Sequence, residues 1–164
     1  MEKTYSSIIE WLADQRSEVW HAIASHWNWD NGIEPLEWIA AQPECDRGTA
    51  QDIFWVSTYG VDVLWHLGED LDAMNDSDPY VQAMFELIGR NAYNSFYKNE
   101  KFIGRNDADA QATEMIGKAF SEGRIDWDLT PFLAVSEGEV FSPSMLTEKE
   151  REEVEFALNG GFPD

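Results

Sequence analysis

Residues 25–57 read SHWNWDNGIEPLEWIAAQPECDRGTAQDIFWVS, and this stretch decides the fold class. It alternates apolar residues at helical spacing with turn punctuation. Asn28 to Gly32 breaks a preceding apolar stripe, and Asn31-Gly32 is a strong turn signal because both residues tolerate a tight reversal. Pro35 suits the first turn of a short helix carrying Leu36, Trp38 and Ile39. Pro43 ends that helix, since the residue before a proline is pushed out of the α region. Asp46 then stands as N-cap for a helix containing Ala50, Ile53, Phe54 and Ser57. Asp46 and Asp52 near its start also suit the helix dipole.

The flanks repeat the pattern. Tyr5, Ile8, Ile9 and Leu12 form one apolar stripe; Val19, Ile23 and Trp27, with Trp20 and Ala24, form the next. YGVDVLWHLG (59–68) fits a short helix or a strand, and an acidic loop from Glu69 to Asp78 follows. Asp78-Pro79 supplies a cap and first-turn proline for the longest helix, through Val81, Phe85, Ile88, Ala92 and Phe96. A further helix is expected from about Asp107 to Glu122, with Gly123 as its stop. Two apolar runs around Ser136-Glu137-Gly138-Glu139 match a small β-hairpin near 132–141. Thr147 with Glu150 is a capping box opening a last helix through Leu158, closed by Gly160-Gly161. The expected fold is mainly α, a compact bundle of six or seven short helices. It divides as a helical domain over 1–123 with a C-terminal extension over 124–164 packed on it, or forms one domain over 1–164.

The chain of 164 residues holds 32 Asp and Glu against 11 Lys and Arg, a net charge of −21. Such a chain is repelled by phosphate, which argues against direct nucleic-acid binding. It also lacks the basic face that holds peripheral proteins on anionic membranes. A content of 43% apolar and 13% aromatic residues is too rich for a chain kept disordered by charge. The N-terminal stretch meets Glu10 and Asp14 without an apolar core, so neither a signal peptide nor a membrane anchor is expected there. Cys45 is the only cysteine, which rules out an intrachain disulfide and a cysteine zinc site. A cytoplasmic location follows as the default.

No catalytic, cofactor or metal set stands out. Glu18-x-x-His21 has the spacing of one half of a di-iron bundle, but neither His26 nor His66 completes the other half. The acids of the 69–78 loop lack calcium-loop spacing and its glycine. Cys45 has no basic neighbour in sequence to activate it, and glycine-rich phosphate loops are absent. The chain is therefore not expected to be an enzyme.

Charge and tryptophan are concentrated together. Residues 1–82 hold 16 acids and three bases, and seven of the eight tryptophans lie between Trp11 and Trp65. Helical periodicity places most of these rings in a core. Trp11 sits beside its helix's apolar face, and Trp27 and Trp29 bracket a turn where burying both rings is difficult. Exposed aromatics beside carboxylates suit a basic partner. The expected partner-binding residues are Glu69, Asp70, Asp72, Asp76 and Asp78, with Trp27, Trp29 and Trp65 as anchors.

Asn28, Trp29, Asp30 and Gly32, followed by Pro43, Cys45, Asp46, Gly48, Thr49, Ala50, Ile53, Phe54 and Trp55, carry a pattern that resembles a bacterial domain family of unknown function. A looser likeness extends through Arg90 to Tyr97, so that the resemblance covers about residues 22–105. It implies a shared fold built on capping and packing residues, and no particular chemistry. Small acidic proteins of this sort are similar to toxin-neutralising immunity proteins. The expected function is an acidic binding and inhibitory protein whose partner is a basic toxin, such as a nuclease, encoded by an adjacent gene. A DNA mimic occupying a nucleic-acid groove is the alternative, and acidity serving solubility alone is the plainest reading.

Overall fold

The computed structural model describes residues 3–57, 79–104, 110–134 and 136–162. The described residues form helices α1 (Ile8–Ala13), α2 (Ser17–His26), α3 (Glu34–Ala40), α4 (Arg47–Ser57), α5 (Pro79–Tyr93), α6 (Ala110–Ser121), α7 (Thr130–Leu133) and α8 (Glu148–Leu158). The protein is mainly helical, as the apolar periodicity implies.

Local chemistry starts and stops these helices. The Ser7 hydroxyl accepts from Glu10 N at 3.2 Å to cap α1. At α8 both arms of the capping box form: Glu150 N donates to Thr147 Oγ1 at 3.2 Å and Thr147 N donates to Glu150 Oε2 at 2.7 Å. The longest helix stops at Tyr93 rather than running on to Phe96, because Ser95 adopts a left-handed φ of 56° that a helix cannot contain.

α4 is the centre of the bundle. It packs against α2, α3, α5 and α7, and every residue from Gly48 to Trp55 is buried. A helix buried on all sides must satisfy its polar side chains internally. Gln51 Nε2 donates to the carbonyls of Phe132 at 2.7 Å and Ala134 at 2.9 Å. Thr49 and Asp52 find partners on α2. Arg47 reaches the same segment, with Nη2 2.8 Å from Pro131 O and 2.8 Å from Ala134 O.

The start of α4 is fastened to an extended strap. Asp46 is buried, and its Oδ1 accepts from Gly48 N at 2.9 Å and from Phe102 N at 3.2 Å, while Oδ2 accepts from Lys101 N. Arg47 N donates to Asn99 O at 2.8 Å. The strap continues by pairing Phe102 in parallel with Glu139, through Ile103 N to Glu139 O at 2.8 Å and Glu139 N to Lys101 O at 2.9 Å. The hairpin expected near 132–141 is absent among the described residues. Thr130–Leu133 is a helical turn, and Glu139 finds its backbone partner in the distant strap instead. A Cβ on Gly48 would strike the Phe102 carbonyl and stand 2.8 Å from Gly104 N, so only glycine admits the strap this close.

The C-terminal helix docks on α2. Arg16 forks onto Glu150 with contacts of 2.7 and 2.8 Å and also donates to Met145 O at 2.7 Å. This pairing is the chief reason the Glu150 carboxyl is held down to about 2. No helix among the described residues is long and apolar enough to cross a membrane.

Asp46→Ala leaves three donors without their acceptor, two of them in the strap. It is expected to destabilise the fold by about 3 kcal/mol, read as a lowered urea midpoint; an unchanged midpoint would show that the clamp is dispensable.

Candidate functional site

The described residues enclose a cleft of about 710 Å³. Its walls come from α1 (Ile8, Ile9), the turn between α2 and α3 (Trp27, Asp30, Asn31, Gly32), the start of α3 (Glu34, Pro35) and the chain after α8 (Gly160, Phe162). The turn is set by its own sequence. Asn28 Oδ1 accepts from Asp30 N at 3.1 Å, Gly32 N donates to Trp29 O at 3.1 Å, and Gly32 takes a φ of 86°. The Trp27 indole N–H donates to Gly32 O at 2.7 Å, tying the wall to the turn. A Cβ on Gly32 would collide with the Glu34 carboxylate, which therefore lies against the turn that carries Asp30. The wall beyond α8 is equally fixed. Phe162 stacks on Trp11 with ring centroids 5.0 Å apart, and the Trp11 N–H donates to Glu153 at 3.1 Å.

Among the described residues, the cleft's lining combines apolar surface with two carboxylates, Asp30 and Glu34, and contains no Lys, Arg or His. Neither carboxylate pairs with a cation among the described residues. Both are exposed, as is Glu37 one turn further along α3. The arrangement suits recognition of a cation and offers no nucleophile with an activating base.

The residues expected to bind a partner fall differently. Glu69, Asp70, Asp72, Asp76, Asp78 and Trp65 lie outside the described residues. Trp27 is buried in the cleft wall, and Trp29 is half-buried against the core with its indole N–H unpartnered. The turn thus buries much of both rings, and Trp11 is wholly buried. Asn28 holds the turn through Asp30 N, which leaves the Asp30 carboxylate to the cleft beside Glu34. Their i, i+4 spacing beside the Asn31-Gly32 turn was the available signal.

A second polar group lies inside the bundle. His21 Nδ1 is 2.9 Å from Thr49 Oγ1, its Nε2 is 3.6 Å from Asp52, and Ser25 Oγ donates to Asp52 at 2.9 Å. The rings of Phe102 and Phe141 lie against the imidazole at 4.6 and 5.1 Å. Glu18 is engaged by Arg16 and Lys101, so the Glu18-x-x-His21 spacing serves packing between α2, α4 and the strap. Among the described residues no three potential ligands gather to hold a metal. Burial of Cys45 pushes its thiol well above the usual range, leaving it unreactive.

Burial lowers the His21 pKa from 6.5, against the opposing pull of Asp52 and Asp46. The folded protein therefore keeps this ring neutral where the unfolded chain protonates it. Stability is full above about 6.5 and falls as pH drops below it, because the unfolded state then binds more protons. The Glu150 contribution is lost only lower, between 4.5 and about 2. The urea midpoint is expected to fall between about pH 7.5 and about pH 5.5, and this fall should shrink in His21→Gln; an equal fall in the variant would exclude His21 as its source.

Residues 15–63 match a family described as a domain of unknown function (DUF4274). No curated protein and no solved structure matches the chain. The matched segment runs from before α2 through α4, and so contains the Asn28–Gly32 turn together with Asp46 and Gly48, but not the strap that Asp46 holds.

Proposed function

We propose that this is an acidic binding and inhibitory protein of the cytoplasm, an immunity protein that neutralises a basic toxin such as a nuclease. The observation that supports the reading is the cleft whose lining, among the described residues, holds Asp30 and Glu34 and no basic side chain. The rest of the surface sharpens the contrast. Lys3 pairs with Asp14, Arg16 with Glu150, Arg47 with Glu100, Lys101 with Glu18 and Lys149 with Glu153. Many of the described bases are thus paired with acids away from the cleft, in a chain whose net charge is −21. Such a potential accelerates capture of a cationic surface and disfavours neutral or acidic competitors. The acids of the 69–78 loop and Trp65 belong to the same proposal as further contacts.

The test is co-expression with the product of the adjacent gene. Rescue of growth and a complex that weakens with salt are expected; no complex and no rescue would sink the proposal. Replacing Asp30, Glu34 and Glu37 together by their amides should slow association about tenfold at low salt, with little change at high salt. Stopped-flow kinetics reads both.

A further inference from the structure

We propose that the cleft between α1, the Asn28–Gly32 turn and the end of α8 is a socket for a single arginine side chain presented by a basic protein. This assignment rests on the reading of the chain as a binder of basic partners and adds the group that is gripped. Three properties of the cleft select that group. Its volume of about 710 Å³ lies in the range of sites for small organic ligands, so a whole side chain and its presenting backbone fit. Its lining among the described residues holds Asp30 and Glu34 without a competing cation. It also holds two aromatic residues, Trp27 and Phe162.

Carboxylates with aromatic and aliphatic walls favour arginine over the other cations. The guanidinium is planar and weakly hydrated, stacks on rings, and offers a fork of donors to a carboxylate. An ammonium is more strongly hydrated and loses more on entering a partly apolar cleft. A divalent metal ion needs a fuller set of oxygen ligands than two carboxylates against Ile8, Ile9, Pro35 and Ala157. The walls are also set before any ligand arrives. Trp27 is tied to Gly32 O at 2.7 Å, and Phe162 is held by Trp11 at 5.0 Å and Tyr5 at 6.2 Å. Preformed walls reduce the ordering cost of binding.

The test titrates the full chain, labelled with ¹⁵N, with acetyl-Gly-Arg-Gly-amide and with the same peptide carrying citrulline, an uncharged mimic of arginine. Amide shifts confined to Ile8, Ile9, Asn31, Gly32 and Gly160, saturating with the arginine peptide and weaker by about tenfold or more with citrulline, support the socket. Asp30→Asn with Glu34→Gln should abolish the saturation while leaving the thermal midpoint close to that of the parent. Both side chains are exposed, so folding is not at stake. Shifts spread over the surface, equal shifts with citrulline, or binding retained by the double variant would overturn it. Failure of the peptide alongside salt-sensitive capture of the adjacent gene's product removes the socket and leaves the broader reading standing. Peptide binding without that capture removes the broader reading instead.

Discussion

The buried carboxylate of Asp46 is the constraint on which the rest of the structure depends. It joins the first turn of the central helix to a strap more than fifty residues further on, through Gly48 N, Lys101 N and Phe102 N. A buried anion is tolerable only where donors converge on it, and here backbone amides supply them. The close approach this requires is possible because Gly48 presents no side chain to the Phe102 carbonyl. Cap, glycine and strap form one unit, in which each part is futile without the others.

From that unit the interior follows. With α4 enclosed on all sides, its polar positions have been turned into connectors: Thr49 and Asp52 to α2, Gln51 to α7. The strap carries Phe102 over His21, which keeps the imidazole away from water and uncharged. The bundle is thus held by directional bonds as much as by apolar contact, and each bond fixes the register of one helix against the next.

Legibility from sequence divided along a physical line. Features decided within a few residues were readable: the Asp46 cap, the Asn31-Gly32 turn, the box of Thr147 and Glu150, and the stops at Gly123 and Gly160, both at positive φ. Features decided by distant segments were not. Trp11 is buried because Phe162 returns to stack on it, and Glu139 pairs with Phe102 because the strap passes there. The cleft was hidden for the same reason. Asp30 and Glu34 look like ordinary surface acids until the chain beyond α8 supplies the facing wall. The tryptophans misled in the opposite sense, since rings flanking a turn were expected to project but Trp27 is buried and bonded to the turn itself.

The unpaired acids around the cleft also bear on the protein's dealings with itself. Two copies meeting through this face would bring Asp30, Glu34 and Glu37 of each against the same residues of the other, with no resident base nearby to relieve the repulsion. A self-complementary contact needs each feature to meet its opposite, and the described residues lining the cleft carry only one sign of charge. Electrostatics therefore opposes contact between two copies through this cleft and favours a surface of opposite charge.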